Sequence, residues 1–195
     1  RKESSAASDV YKRQGQVDHE HLVKLVKKFL AKKINGEAKP KEDLDLKLSS
    51  SHSVKDLQQT WYTAGTSVKG GSFKQRVAWN LFNALFGEGM ASRLFQNIRE
   101  KYGLVYSIYS SVDLYRDQNG FNVSMCADPA KLDEAIGHLT TEIAEIIKNG
   151  ISQKELEFAR QMVKGSLLLG MESVSSRMNR VARLVMYDMP PTPLE

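Results

Sequence analysis

The stretch SRLFQNIREKYGLVYSIYSS, residues 92–111, begins with the pattern of a helix and ends with the pattern of a strand. Gly103 lies at the join, where a residue that tolerates a left-handed backbone ends a helix easily. Arg99 precedes this glycine and Tyr106 follows it, so a turn at Gly103 would let both polar side chains converge on one edge. The sequence therefore predicts a helix-to-strand turn. It leaves open whether the pair is structural or contacts a ligand.

Helices and strands are predicted on both sides of this turn. Upstream, the pattern predicts a strand over residues 57–68 and a helix over 72–87. Downstream, two strands are predicted around Asn119-Gly120, a pair typical of tight hairpins, and helices follow. Because the strands are separated from the helices, we predict an α+β fold in which helices pack on one face of an antiparallel sheet.

Apolar residues at helical spacing predict which faces are buried. In the helix over 72–87 the predicted stripe is Val77, Leu81, Ala84 and Leu85. Two later helices are expected to pack on the sheet through Leu132, Ile136, Leu139 and Ile143 in the first and Leu156, Val163 and Leu167 in the second.

Composition excludes several classes of protein. The 195 residues are 41% hydrophobic and 26% charged, as in an ordinary globular protein. No apolar run approaches the ~18 residues of a membrane helix, so we expect no membrane span. The net charge of +5 is concentrated in the lysines of residues 22–33, a pattern more typical of a solvated face than of nucleic-acid binding.

The metal-binding residue types are sparse. A helical zinc site needs two ligands at i and i+4, but His19 and His21 are two residues apart, and His52 and His138 are predicted to be solvated. Cys126 is the only cysteine, and it lies in an apolar alternating run that favours a buried structural thiol. We therefore predict no metal site in this chain. Cysteine usage leaves the compartment open, with the cytoplasm as the first expectation.

A glycine-rich segment, GEGMAS, covers residues 87–92. It lacks the G-x-G-x-x-G spacing of a nucleotide loop and follows a helix rather than a strand. The glycines are expected either to let two helices turn sharply or to let another backbone approach closely.

Arg99 and Tyr106 form the best candidate site. Each has an ordinary structural interpretation, because a cation near a helix C-terminus is favoured by the helix dipole and a tyrosine is common in strands. A guanidinium and a phenol are also both hydrogen-bond donors, and together they could hold a carbonyl oxygen or an oxyanion developing on it.

Two long motifs resemble one family. GEGMASRLFQNIREKYGLVYSIYSS, residues 87–111, and SQKELEFARQMVKGSLLLGMESVSSRMNR, residues 152–180, resemble the second half of the inverzincin metallopeptidases. These are the relatives of pitrilysin, insulinase and the mitochondrial processing peptidase. The resemblance covers roughly residues 15–195. One departure is Glu88, which interrupts the glycine run that the family often has there.

The sequence pattern and the resemblance together predict a division of the chain. Residues 1–14 are expected to be extraneous or disordered, and 15–36 to be the last helix of an upstream half. Residues 37–56 would be a linker, and 57–195 a second, substrate-binding half whose C-terminus is incomplete. In the family the upstream half carries H-x-x-E-H and a downstream glutamate, which bind zinc and activate water.

The resemblance also implies roles. Arg99 and Tyr106 match the spacing of the family's arginine and tyrosine that bind the substrate carbonyl. The chain is therefore predicted to be the substrate-binding half of a zinc-dependent endopeptidase that cleaves peptides or presequences, inactive by itself, with possible assembly as a homodimer or heterodimer. Two alternatives stay open: a non-catalytic partner subunit of the same fold, and a basic nucleic-acid-binding module.

Overall fold

The computed structural model of the protein describes residues 17–30, 49–55, 57–69, 71–115, 118–186 and 189. The chain divides into two compact units, one of residues 43–165 and one of residues 1–42 with 166–195. The predicted extraneous segment 1–14 and most of the predicted linker lie outside the described residues.

The elements follow the predicted order. They are α1 (His19–Leu30), β1 (Thr60–Ser67), α2 (Phe73–Phe86), a π-helix (Phe95–Lys101), β2 (Val105–Leu114), β3 (Asn119–Ala127), a 3₁₀ helix (Pro129–Lys131), α3 (Leu132–Asn149), α4 (Gln153–Gly170) and α5 (Val174–Met186). The predicted α+β fold is confirmed.

The sheet belongs to the 43–165 unit. Its strand order is β1-β3-β2, and both β1 and β2 run antiparallel to the central β3. The predicted hairpin forms between β2 and β3, but Asn119 and Gly120 are not its turn. They are the first residues of β3 and pair with Leu114 and Asp113. The sheet register therefore continues through a dipeptide that local sequence alone assigns to a turn.

The core of this unit lies between the sheet and the helices. Its most deeply buried large side chains are Phe86, Leu94, Ile98 and Met125. An aromatic group surrounds Phe86, whose ring stacks on Phe82 at 5.2 Å between centroids and lies 6.0 Å from Phe121. Burial of these rings is a large apolar contribution to stability.

The predicted helical stripes are confirmed in part. In α2, Ala84 and Leu85 are buried, but Val77 is exposed. In α3, Leu139 is buried, whereas Ile143, one turn later, is 40% exposed. The helical spacing of the apolar residues identifies the correct face of each helix, but that face is buried over only part of the helix.

The α4 stripe is also corrected. Ala159 is the buried residue of this helix, while Leu156 and Val163 are half-buried. Leu167 is 43% exposed, so its predicted burial is wrong. Ala159 belongs to the buried core cluster, so α4 meets the core through a small side chain rather than through a stripe of large ones.

Gly87 allows a close backbone contact between the end of α2 and β2. Its carbonyl accepts a hydrogen bond of 3.2 Å from the Ser110 amide. A Cβ at Gly87 would overlap the backbone nitrogen and side chain of Ser110. The second of the two expected roles for the glycine-rich segment is thus confirmed at this position.

Gly87→Ala is expected to lower the free energy of unfolding by about 1–3 kcal/mol, because the methyl group must displace the β2 backbone. Gly137→Ala in α3 is the matched control, since a Cβ there meets nothing within 4 Å. It should raise stability by about 0.5–1 kcal/mol through the better helix propensity of alanine. Urea unfolding of both variants measures this, and equal stability of the two would contradict the close contact.

The other unit contains α1 and α5. The amide of His21 donates to Asp18 Oδ1 at 2.8 Å, so Asp18 is the N-cap of α1. In α5, Ala182 is buried and Val181 and Val185 are exposed. None of the described helices has the length and apolar character needed to cross a membrane.

Candidate functional site

The helix that carries Arg99 has π rather than α geometry over Phe95–Lys101. Leu94 and Ile98 are completely buried and fix one face of it against the core. Gly103 ends it with φ of +61°, and the Gly103 amide donates to the Arg99 carbonyl at 3.0 Å. Such wide turns are rare, and they occur frequently at functional sites.

A second backbone irregularity occurs at Tyr106. Val105 pairs with Ala127 and Ser107 pairs with Cys126, so Tyr106 is an extra residue with no partner on β3. A β-bulge of this kind turns a side chain away from the regular alternation of the strand. Tyr106 is 58% exposed.

Arg99 is exposed on the helix surface. Its guanidinium carbon lies 4.5 Å from the centroid of the Phe95 ring, and within the described part of the chain it makes no ion pair. The predicted structural alternative was the helix dipole alone. Sequence reasoning missed Phe95, although its i, i+4 spacing from Arg99 was a usable signal.

A charged cluster holds the segment before Arg99 against α3 and α4. Arg93 Nε lies 3.3 Å from Glu142 Oε2, and its terminal nitrogens lie 3.6 Å from Glu145 and 3.4 Å from Glu155. Glu142 is 9% exposed, and its Oε1 accepts a hydrogen bond of 2.6 Å from Asn97 inside the π-helix. We call Arg93, Asn97 and Glu142 the clamp.

The clamp is not fully satisfied by hydrogen bonds. Glu142 Oε2 forms an ion pair with Arg93, but the position of the Arg93 donor does not meet the geometry of a hydrogen bond to this oxygen. The attraction of Arg93 is therefore the main compensation for burying this oxygen. The sequence carried no signal for these contacts, because Asn97 and Glu142 are 45 residues apart.

Glu155 connects the clamp to the start of α4. Ser152 donates to its carboxylate from both the hydroxyl, at 2.6 Å, and the amide, at 2.9 Å. These two bonds hold the pKa of Glu155 below its ordinary value. Burial opposes them more weakly, and the Arg93 charge adds the smallest contribution, which also lowers the pKa. Because the Glu155 amide also donates to the Ser152 hydroxyl, the two residues form a capping box at the start of α4.

Glu155→Gln is expected to lower the thermal midpoint at neutral pH, because the charged form is the one that the fold stabilises. Since the folded pKa is lowered, the difference in thermal midpoint between the variant and the wild type has its full size above the ordinary pKa of 4.5. It disappears as the pH falls through the lower folded pKa. Thermal melts between neutral and acid pH measure this.

Glu157→Gln is the matched control, an exposed carboxylate one turn from the same cap. Its stability should stay within about 0.5 kcal/mol of the wild type. A Glu155→Gln difference that persisted undiminished in strong acid would contradict the lowered pKa.

The histidines and the cysteine form no reactive group. His19, His21 and His52 are exposed. His138 is half-buried and stacks on Tyr102 at 4.0 Å, so its predicted solvation is wrong. Cys126 is 2% exposed, which confirms its predicted burial. Over the described ranges, no group of three or more histidine, cysteine, aspartate or glutamate side chains could hold a metal ion.

An apolar groove of about 720 Å³ lies at the end of β1. Its lining comes from β1, the chain after it, α2 and the segment before α4, and it includes Trp79, Phe82 and Ile151. Neither Arg99 nor Tyr106 lines it, and it contains no carboxylate, histidine or cysteine. The groove therefore lacks the side-chain types of a metal site or a carboxylate or histidine acid–base site, and the turn around Gly103 is the better candidate site.

Relatives with related sequences are named as proteases. The chain is 30% identical over 175 residues to an uncharacterized zinc protease of Mycobacterium leprae, covering 87% of this chain and 39% of that protein. It is 36% identical over 100 residues to an uncharacterized zinc protease of Bacillus subtilis, and this match covers 51% of this chain and 24% of that protein. The chain thus spans about two fifths of the length of the first relative.

Solved structures share the fold. A peptidase M16 inactive domain from Pseudomonas fluorescens superposes with a TM-score of 0.62 and 25% identity, over 68% of this chain and 32% of that chain. A protease from Helicobacter pylori gives a TM-score of 0.67 with 22% identity, and the match covers 90% of this chain and 44% of that chain.

The family described as the peptidase M16 inactive domain matches residues 14–163. This match covers most of the chain, and it includes the π-helix, the Gly103 turn and the whole sheet. The resemblance seen in the two long motifs is confirmed. The chain belongs to the peptidase M16 inactive domain family.

Proposed function

We propose that this chain is the substrate-binding half of a zinc-dependent endopeptidase that cleaves peptides or presequences. Arg99 and Tyr106 are the residues that hold the substrate carbonyl. The observation that carries the proposal is the pair of backbone irregularities at the Gly103 turn, a π-helix under Arg99 and a β-bulge at Tyr106. Membership in a family whose relatives are named zinc proteases supports it.

The chemistry of the pair fits a carbonyl ligand. Both side chains are exposed, and both belong to residue types that can donate hydrogen bonds. The charge on Arg99 favours an oxygen that becomes negative as the peptide bond is attacked, which is transition-state rather than ground-state stabilisation. Tyr106 adds a second donor without a second charge.

Zinc belongs to the rest of the proposed enzyme. The described residues contain no set of ligands that fits a catalytic zinc ion, which needs three protein ligands and an open position. We therefore assign no step of metal chemistry to this chain. In the proposed enzyme a catalytic half upstream pairs with it and supplies the ligands. That the chain by itself is inactive stays a prediction.

Arg99→Ala and Tyr106→Phe, made in the full-length protein that includes the catalytic half, should each lower kcat on the order of 10²-fold, the typical loss for one oxyanion donor. Thermal midpoints should change little, because both side chains are exposed. Hydrolysis of a fluorogenic peptide measures kcat and KM separately.

Matched controls lie next to both residues. Lys101→Ala removes a cation from the same π-helix, and Tyr109→Phe removes a phenol from the exposed side of β2. Both controls should hydrolyse peptide normally. Wild-type rates in Arg99→Ala and Tyr106→Phe would refute the assignment. A full-length protein that cleaves nothing but increases the activity of a separate subunit would instead support the non-catalytic partner.

A further inference from the structure

Arg99 needs to be oriented if it is to act as a preformed donor. An exposed arginine has a long side chain with about 2 kcal/mol of rotamer entropy. Transition-state stabilisation depends on donors that are already in place, because a group that must first be ordered contributes less. The side chain that orders Arg99 is therefore part of the site.

The Phe95 ring lies where it can orient the Arg99 guanidinium. The guanidinium carbon of Arg99 lies 4.5 Å from its centroid, inside the ~6 Å range of a cation–ring contact. No carboxylate among the described residues forms an ion pair with Arg99. The donors of the guanidinium are thus left for a ligand while its central carbon lies over the ring.

Phe95 is itself fixed. It is half-buried and directly follows Leu94, which is completely buried. Two residues later, Asn97 is bound to Glu142 at 2.6 Å. The backbone on both sides of Phe95 is therefore tied to the core, and the ring is the rigid member of the pair.

We propose that Phe95 is a positioning residue that holds the guanidinium of Arg99 toward the substrate carbonyl. This inference rests on the proposed function of Arg99. It adds a role for a residue that would otherwise be assigned only to packing.

Phe95→Leu keeps an apolar side chain and removes the aromatic face. In the full-length enzyme it should lower kcat about 2- to 5-fold, the range that a cation–ring contact at an exposed site supports. KM should change less, because the contact matters most when the oxyanion forms. Phe95→Tyr retains the ring face and should restore kcat to near the wild-type value, and the thermal midpoint identifies any variant that is simply unfolded.

A double-mutant cycle separates positioning from packing. In an Arg99→Ala background, Phe95→Leu should have no further effect on kcat, because there is no guanidinium left to orient. The Arg99 Nε–H proton resonance should also move to lower field in Phe95→Leu as the ring current is lost. A kcat of Phe95→Leu equal to the wild type, or an equal loss in both backgrounds, would overturn the proposal.

The two proposals fail differently. If Arg99→Ala hydrolyses peptide at the wild-type rate, the proposed function of Arg99 is wrong, and this inference falls with it. If Arg99→Ala is impaired but Phe95→Leu is not, only the positioning role is wrong.

Discussion

Phe86→Ala is expected to lower the free energy of unfolding by about 3–5 kcal/mol, the typical cost of truncating a buried aromatic residue. Phe86 is 1% exposed at the end of α2. Its ring stacks on Phe82 and also contacts Phe121 from β3, so it joins the helix to the sheet. The loss combines removal of apolar surface with a cavity that the neighbouring rings cannot fill.

Phe73→Ala is the matched control for this prediction. It removes the same side chain from the first turn of the same helix, where the ring is 44% exposed. Its cost should be smaller, near the ~1 kcal/mol of an average substitution. Guanidinium unfolding monitored by circular dichroism gives both values. Equal losses at the two positions would show that the aromatic group is not the centre of the core.

Arg93→Ala is expected to cost on the order of 3 kcal/mol, because it leaves the Glu142 carboxylate nearly buried without a compensating charge. The side chains of Arg93 and Glu142 are only 21% and 12% exposed. The same substitution removes the contacts to Glu145 and Glu155. The same unfolding measurement applies, with folding first checked by circular dichroism.

Two controls define the electrostatic origin of this loss. Arg160→Ala breaks an ion pair whose side chains are 60% and 49% exposed, and should cost at most about 1 kcal/mol. Arg93→Met combined with Glu142→Leu should recover part of the stability lost in Arg93→Ala, because no buried charge is left unpaired. A double variant less stable than Arg93→Ala would contradict this explanation.

The sequence predicted the type and order of the elements well, because those depend on local periods and caps. It failed where burial depends on the neighbours of an element. Leu139 and Ile143 belong to the same apolar stripe of α3, but of these two only Leu139 is buried. The hairpin was predicted, yet Asn119-Gly120 lies inside β3, since pairing with β2 overrides the local preference for a turn.

The sequence predicted which residues form the candidate site, but it did not predict the backbone conformation at those residues. Arg99 and Tyr106 were found from their spacing and the family resemblance, and their role stays a prediction. The π-helix and the bulge were not foreseen, because both depend on how the chain is held by distant groups. Asn97 meets Glu142 across 45 residues, and no local pattern reports that contact.

The π-helix lets the segment between the clamp and Gly103 contain one more residue than an α-helix would. A π turn closes from residue i to i+5 rather than to i+4, so it holds one extra residue. Deleting one residue within Phe95–Lys101 would let the segment relax to an ordinary α-helix, and the residues on either side of the deletion would keep their positions around the axis. In a regular α-helix the same deletion would rotate every downstream residue by about 100°. In comparisons of natural variants, a gap of one residue in this segment is therefore expected to mark an α-helical form of the same turn, with Arg99 still on its side.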